Sequence, residues 1–344
     1  MSIILGIESS CDETAAALVT SDRQIMAHAL AGQEAAHAPF GGVVPEIAAR
    51  AHAEILTSLI GNALSEAGIS LNSVDAVAAT AGPGLIGGVM VGLVTGKALA
   101  MALDKPLIAV NHLEGHALSP RLANPELEFP YLLLLASGGH CQILRVEGVN
   151  DYRRLATTID DAAGEAFDKT AKILGLGYPG GPKVETLAQT GDPQAVPLPR
   201  PLKGSAEPHF SFAGLKSAVV RAHEEGIHKD EDIAAAFQQA VVDCLEDRLE
   251  KAIAEHDPVP HLVVAGGVAA NQPIREMLEQ MAEKHGMKFT APPLWLCTDN
   301  AAMIGWAGAE RFATGLTDSL DFAARPRWPL DPDAAKARGA GVKA

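Results

Sequence analysis

Two histidines four residues apart are the clearest chemical signal in the sequence. They lie in the segment Asn111–His116, NHLEGH, directly after the apolar run Pro106–Val110, which is typical of a buried strand. If the chain turns helical after Asn111, the two imidazoles lie on one face about one turn apart. Such a pair can bind one borderline cation and leave positions for a third ligand and a substrate. Because ligands of α/β sheets gather beyond the carboxyl ends of strands, this position favours a metal site over a chance pair.

Glu114 bears on a second hypothesis, a zincin-type metallopeptidase. The zincin motif places its glutamate directly after the first histidine, whereas Glu114 follows His112 by two positions. On a helix these two side chains are separated by about 200°, so the carboxylate is directed away from the metal face. The spacing argues against a peptidase.

Two strand–turn–strand units frame further candidate residues. The first consists of Ile3–Glu8, the polar turn Ser9–Thr14 and Ala15–Val19; the second consists of Tyr131–Ala136, the turn Ser137–His140 and Cys141–Val146. The acids Asp12 and Glu13 would repel an anion from the first turn, unless a metal or a proton transfer uses them. The repetition, about 130 residues apart, predicts a duplicated domain with its loops facing one cleft.

The composition predicts a two-lobed α/β protein of the cytoplasm. A hydrophobic fraction of 48% is ample for a core, and a length of 344 residues is too great for one compact sheet. Four scattered cysteines without a C-x-x-C pair indicate reduced thiols. Met1–Gly6 lacks a signal-peptide pattern, and the most apolar span, Gly84–Met101, is interrupted by Lys97 and glycines. We therefore expect no membrane segment.

The charge is strongly acidic but unevenly distributed. A formal net charge of -15 argues against non-specific coating of nucleic acid. Residues 131–221, however, hold ten basic and nine acidic side chains, so a polyanion would meet least repulsion there. Phe210 and Phe212, next to Lys216, are expected to be exposed in the same stretch.

The second half of the chain adds three candidate groups. Asp168 follows a dense run of acids, and Gly175–Pro182 is too rich in glycine for packing alone. A strand at His261–Val264 followed by Gly266–Asn271 is typical of a nucleoside site. Asp299 precedes a predicted helix, Ala301–Phe312, and could act as its N-cap or as an exposed, ionised metal ligand.

Seven motifs, taken in order, resemble the universal tRNA N6-adenosine threonylcarbamoyltransferase family in its bacterial branch. They are Gly6–Thr14, Asn111–His116, Ala136–His140, Gly180–Pro182, Phe210–Lys216, Gly266–Asn271 and Thr298–Ala301, followed by Arg325–Leu330. The resemblance implies a two-lobed actin/hexokinase/Hsp70-like (ASKHA) fold with duplicated ribonuclease H-like subdomains around a central cleft. We expect a partner-facing lobe of residues 1–112 plus 300–330, closed by the C-terminal helix. Residues 113–299 would form a second lobe for adenylate and tRNA, and residues 331–344 a flexible tail.

The same resemblance implies an activity and a set of site residues. The family transfers a threonylcarbamoyl group from threonylcarbamoyl-AMP to N6 of the adenosine 3′-adjacent to the anticodon, in tRNAs reading codons that begin with A. His112, His116 and Asp299 would hold one divalent metal, usually described as iron, although these ligands also suit zinc or magnesium. Asp12 is the candidate to take the amine proton, with Glu13 beside it. The expected substrate contacts are Leu135, Ala136, Ser137, Gly138, Gly139, Asp168, Gly181, Glu185 and Asn271.

The resemblance also implies partners. They are the anticodon loop of tRNA, a catalytically silent paralogue, a small ATPase and a separate synthase that supplies the adenylate. We expect the tRNA to lie along the basic stretch from residue 145 to residue 221. Three other functions stay open: a carbamoyltransferase of the same fold acting on a small molecule, a metallopeptidase, and a non-catalytic scaffold.

Overall fold

The computed structural model describes residues 1–40 and 42–337, so residues 338–344 of the predicted tail lie outside the described residues. The strands are β1 (Ile3–Glu8), β2 (Glu13–Thr20), β3 (Ile25–Gly32), β4 (Ala76–Gly82), β5 (Leu107–Asn111), β6 (Tyr131–Ala136), β7 (Cys141–Gly148), β8 (Asp151–Thr157), β9 (His261–Ala265) and β10 (Lys288–Thr290). The helices are α1 (Glu34–His37), α2 (Pro45–Ala67), α3 (Ile86–Leu103), α4 (His112–Ala123), α5 (Ala163–Ile173), α6 (Gly180–Ala188), α7 (Ala213–Glu224), α8 (Asp230–Glu255), α9 (Gln272–Lys284), α10 (Leu294–Cys297) and α11 (Ala301–Ala313).

The ten strands form two sheets with the same topology. The first has the order β3-β2-β1-β4-β5, in which β1, β2 and β3 are antiparallel and β4 and β5 run parallel to β1. The second has the order β8-β7-β6-β9-β10, with β6 and β7 antiparallel and β9 and β10 parallel to β6. An antiparallel hairpin extended by parallel strands on its other side is the ribonuclease H-like arrangement. The predicted α/β fold with two such subdomains is confirmed.

Two compact units contain these sheets. Among the described residues, unit 1 consists of residues 1–40, 42–126, 148–151 and 298–332, and unit 2 consists of residues 127–147, 152–297 and 333–337. This division differs from the predicted one, because α4 belongs to unit 1 together with residues 298 and 299. The physical reason is that α4 packs against α11, with Leu113, Ala117 and Leu118 buried.

Helix α11 covers the centre of the first sheet at very short distance. A Cβ atom at Gly6 on β1 would lie 2.5 Å from the backbone nitrogen of Gly305 and would also overlap the Ala301 carbonyl. Side chains at these positions would force the helix away from the strand. The glycines therefore fix the depth at which α11, and the residues that precede it, lie on the sheet.

Among the described residues, one helix is long and apolar enough to cross a membrane by length and composition, namely α3. A third of its apolar window is buried. Core helices of soluble proteins pass the same test, so a single such helix is weak evidence for a membrane span.

Gly6→Ala should lower the free energy of unfolding by about 1–3 kcal/mol, since the added methyl group overpacks the contact with α11. The measurement is the urea midpoint, followed by fluorescence. Gly61→Ala on α2 is the matched control, because a Cβ there meets nothing within 4 Å and alanine is the better helix former. Equal midpoints for the two variants would contradict the close packing of α11.

Candidate functional site

The predicted helix after Asn111 exists and places both histidines inside unit 1. Asn111 is the N-cap of α4, and its side-chain oxygen accepts a hydrogen bond from the Leu113 backbone N–H at 2.9 Å. His112 and His116 then occupy the same face of successive turns, with ring centroids 4.8 Å apart. Both side chains are buried, which restricts the directions in which their ring nitrogens can bind a ligand.

The third predicted ligand, Asp299, lies against both imidazoles. Its Oδ1 is 3.0 Å from Nε2 of His116 and 3.5 Å from Nε2 of His112. The N-cap of α11 is Asn300, whose Oδ1 accepts the Met303 N–H at 2.9 Å, so Asp299 is not the capping residue. The structure thus brings together the three predicted ligands, with one ligand atom of each within 4.8 Å of the others.

The buried carboxylate of Glu8 orients the His112 ring by contacting Nδ1, the nitrogen that does not face Asp299. Oε2 of Glu8, at the end of β1, lies 3.0 Å from Nδ1 of His112, and Oγ of Ser10 lies 3.1 Å from the same nitrogen. The Thr80 hydroxyl donates to the same Glu8 oxygen at 2.7 Å. A carboxylate bonded to the far nitrogen of a histidine is the usual support of a metal-binding imidazole, since it leaves Nε2 for the metal.

Carboxylates next to the histidine pair stabilise positive charge there. Burial opposes protonation of His112, but the carboxylates of Asp299 and Glu8 outweigh it and raise the pKa of His112 to about 9. A cation that binds Nε2 must displace this proton. Nδ1 of His116 is buried and has no hydrogen-bond partner among residues 1–40 and 42–337. Such unsatisfied buried atoms are rare and call for an explanation such as a functional role or an unseen ligand.

Asp12 lies in the turn between β1 and β2, and Glu13 is the first residue of β2, in the same unit. Burial raises the pKa of the Glu13 carboxyl to about 10, and the negative charges of Asp299 and Asp12 together with a hydrogen bond to Asp12 act in the same direction. At neutral pH Glu13 is therefore a neutral acid that donates a hydrogen bond to Asp12. The two acids are not equivalent.

Glu114 has a structural role. Its Oε2 pairs with Nη1 of Arg311 at 3.0 Å, and its Oε1 accepts the Asn150 backbone N–H at 3.0 Å. Both Glu114 and Arg311 are buried. The carboxylate faces away from the histidine pair, as the helical spacing predicts, which removes the base that a zincin-type peptidase requires.

Unit 2 contains the residues predicted to bind substrate, and it brings four of them together. Asp168 on α5 accepts the Gly180 N–H at 2.8 Å, next to Gly181 at the start of α6. Glu185 on the same helix accepts the Gln272 N–H at 2.9 Å, next to Asn271. Asn271 caps α9, and its amide donates to Gln238 at 2.9 Å. We call Asp168, Gly181, Glu185 and Asn271 the unit 2 cluster.

The turn Ser137–His140 joins the same unit by close backbone approach. A Cβ at Gly164 would lie 2.6 Å from the Ser137 carbonyl oxygen. Gly138 and Gly139 are exposed, and a Cβ at either would meet nothing within 4 Å, so a ligand can approach this part of the turn. Leu135 and Ala136 are fully buried in β6 and directly precede this turn. Their contact with a substrate stays a prediction.

The basic stretch differs from its prediction. Phe210 and Phe212 are buried in the core of unit 2, where the expectation of exposed aromatics was wrong. Several of its cations are neutralised by nearby carboxylates: Arg145 with Glu147 at 2.6 Å, Arg200 with Asp243 at 2.8 Å, and Lys169 and Lys216 with Asp161 at 2.8 and 3.1 Å. Less positive charge is available here than the composition indicates.

Sequence reasoning missed the residues that support the histidines, chiefly Glu8, Ser10 and Thr80. Glu8 and Ser10 lie inside a motif that the sequence singled out, but nothing local shows which carboxylate of that motif turns inward. The available signal was a carboxylate at the end of a short apolar strand, since residues 4–8 of β1 are all buried and Glu8 is fully buried.

Two ribonuclease H-like units in one chain define the actin/hexokinase/Hsp70-like class of folds. A crystal structure of full-length HypF in its phosphate- and nucleotide-bound form superposes with a TM-score of 0.60 at 14% identity, over 91% of this chain and 46% of that chain. At that identity the likeness shows the fold alone.

Sequence comparison is more specific. Residues 24–306 match the family model described as TsaD: tRNA N6-adenosine threonylcarbamoyltransferase. Proteins of that name from Sphingopyxis alaskensis and Erythrobacter litoralis are 73% and 72% identical over 344 residues, covering all of this chain and all of theirs. The chain belongs to the tRNA N6-adenosine threonylcarbamoyltransferase family.

Glu8→Gln should weaken zinc binding about 10- to 100-fold near pH 9, because the amide supports the His112 ring less well than a carboxylate. It should also move the pH dependence of binding to lower pH, because a charge that raises the pKa of His112 is lost. Calorimetric titration with zinc between pH 6 and pH 9 measures both.

The matched control is Glu46→Gln, an exposed glutamate on α2, which should leave affinity and profile unchanged. A Glu8→Gln protein with wild-type affinity and the same pH profile would show that Glu8 does not position His112.

Proposed function

We propose that the chain transfers the threonylcarbamoyl group of threonylcarbamoyl-AMP to N6 of the adenosine 3′-adjacent to the anticodon, in tRNAs that read codons beginning with A. The observation that carries the proposal is the cluster of His112, His116 and Asp299 in a chain that matches its family over its full length. The carboxylate of Glu8 strengthens the assignment of a metal site, because two histidines four residues apart are a less specific sign of such a site when no carboxylate supports them.

The cluster fits a divalent cation. Two imidazole nitrogens and one carboxylate oxygen leave coordination positions open, and this donor set suits ferrous iron, which we favour, as well as zinc. A bound cation would polarise an acyl or phosphoryl oxygen and stabilise negative charge that develops there. The remaining chemistry belongs to the side chains of unit 1.

Asp12 is the proposed proton acceptor. The exocyclic amine of adenine attacks the carbamoyl carbon, the bond from that carbon to the phosphate oxygen breaks and AMP leaves. The amine must lose a proton in this step, and a positioned carboxylate can take that proton. Glu13 is protonated in this environment and donates its hydrogen bond to Asp12. We therefore assign Glu13 to orienting Asp12, which narrows the earlier expectation of two catalytic acids.

Unit 2 is assigned to the nucleoside of the donor. The exposed turn at Gly138 and Gly139 suits an anionic or carbonyl oxygen, and the carboxylates of Asp168 and Glu185 suit ribose hydroxyls or the adenine amine. Asn271 and Gly181 lie beside these carboxylates in the unit 2 cluster.

The proposed partners are the tRNA anticodon loop, a catalytically silent paralogue, a small ATPase and a separate synthase that makes the adenylate. An apolar helix face supports a protein partner of unit 1. Ile86, Met90, Val94 and Met101 on α3 are between 45% and 68% exposed, and the first three recur every four residues along one face. Exposed apolar surface of this kind marks protein interfaces. A tRNA substrate places the protein in the cytoplasm.

A carbamoyltransferase acting on a small molecule would share the fold and the cation. It is disfavoured because the match to the tRNA-modifying relatives extends over the whole chain. The peptidase is disfavoured by the buried Glu114–Arg311 pair.

Reconstitution tests the proposed activity. The full chain is incubated with unmodified tRNA, threonine, bicarbonate, ATP, the synthase and the two protein partners, and nucleosides are analysed by mass spectrometry. We expect threonylcarbamoyladenosine, and we expect none with His112→Ala. Cleavage of casein without the modified nucleoside would establish the peptidase instead, and full activity of His112→Ala would establish a scaffold.

Asp12→Asn should lower the transfer rate by about 10²- to 10⁴-fold, as loss of a proton acceptor does, while adenylate binding is retained. Glu13→Gln should keep most of the rate, because glutamine, like the neutral acid, donates a hydrogen bond to Asp12. Single-turnover transfer to tRNA measures both. The assignment fails if the two variants lose activity equally or if Asp12→Asn stays near the wild-type rate.

A further inference from the structure

The last segment of unit 1 forms a basic pocket that the proposed function leaves unused. A cavity of about 400 Å³ is lined by Asn150, Arg325, Arg327, Trp328, Pro329, Leu330 and Pro332. We call it the tail pocket. All seven residues belong to unit 1, which also holds the histidine cluster.

Two guanidinium groups line this pocket, and one acid, Asp331, lies in the same segment. Arg325 and Arg327 are exposed, and within the described part of the chain neither has a carboxylate oxygen within 4 Å. Arg145, Arg200 and Lys216 of the basic stretch, by contrast, are each in an ion pair. In a chain of net charge -15, this pair of arginines is therefore a local attraction for an anion.

Stacking holds the Arg325 guanidinium in place. Its central carbon lies 4.5 Å from the centroid of the Phe322 ring and 5.0 Å from that of Trp328. These cation–π contacts restrict the position of the guanidinium, whose N–H groups can bond phosphate oxygens in pairs. Because the side chain is already ordered, less entropy is lost when it binds a phosphate.

Hydrogen bonds fix the tail pocket to the helix that carries the histidines. The Asn111 amide, at the N-cap of α4, donates to the Trp328 carbonyl at 2.9 Å. At the other side of the pocket, the Asn150 N–H donates to Glu114 of α4 at 3.0 Å. The Arg325 backbone N–H donates to the Ala81 carbonyl, at the end of β4, at 2.7 Å. An anion in this pocket would therefore be held at a fixed position relative to His112 and His116.

We propose that the tail pocket binds backbone phosphates of the acceptor RNA. The inference rests on the proposed function, since it names the surface by which that reaction would hold its polynucleotide. Arg325 and Arg327 bond the phosphate oxygens of the RNA backbone. RNA and free nucleotides both carry phosphate groups that these arginines could bind. Because hydrogen bonds hold the tail pocket at a fixed position relative to α4, we favour RNA, the longer ligand, over a free nucleotide.

The test compares full-length wild-type protein with Arg325→Gln/Arg327→Gln. Fluorescence anisotropy with labelled unmodified tRNA gives the affinity at several salt concentrations, and calorimetry gives the affinity for AMP. The double variant should bind tRNA on the order of tenfold more weakly, and the slope of log K against log[salt] should fall in magnitude by about two. AMP and zinc affinities should not change. Arg50→Gln, an exposed arginine on α2, is the matched control and should behave as wild type.

Each other result is decisive. Unchanged tRNA affinity and salt slope overturn the inference, and loss of AMP binding with tRNA binding retained shows a free-nucleotide site instead. If the double variant is unfolded, Arg327→Gln alone carries the test, because its side chain makes no ion pair with any described residue, and the slope should fall by about one. Wild-type protein that binds tRNA through these arginines but forms no threonylcarbamoyladenosine with its partners would refute the proposed function alone.

Discussion

The contact on which unit 1 depends is the buried pair of Glu8 and His112. Three strands meet there, because Glu8 ends β1, Thr80 lies near the end of β4 and His112 follows β5. A carboxylate without exposure is tolerated only when charged or polar partners satisfy it. Burial opposes ionisation of Glu8, but the facing imidazole and its hydrogen bonds lower the pKa of the carboxyl. The pair thus fixes both the strand order and the direction of the imidazole.

The sequence of apolar and polar residues predicted the strands and helices well at places where a short apolar run ends at a polar turn. The hairpins β1–β2 and β6–β7 and the helix after Asn111 follow from residues adjacent in sequence, so their positions could be predicted. The partners of those residues could not. Glu8 and Thr80 are 72 residues apart in the chain, and only the parallel pairing of β1 with β4 brings them together. Asp299 and His116 are separated by 183 residues, and here the family resemblance supplied what spacing alone could not.

Charge and exposure were the least predictable properties. A count of basic residues between 131 and 221 indicates a positive surface, yet Asp161 alone pairs with two of its lysines. The aromatic pair at Phe210 and Phe212 is flanked by polar residues in sequence and still lies in the core of unit 2. The arginines of the tail pocket lie inside a proline-rich segment, residues 325–332, that has no regular element. Their relation to α4 depends on how this segment folds back onto unit 1.

The order in which the cation ligands occur along the chain has a consequence for biosynthesis. The two imidazoles leave the ribosome early, whereas the carboxylate is encoded in the last seventh of the polypeptide, directly before the helix that lies against Gly6. If the three side chains bind a cation as proposed, a chain that ends before Asp299 would keep only two of the three ligands and would hold a divalent ion less firmly. Loading of the proposed site would therefore require synthesis at least through residue 299.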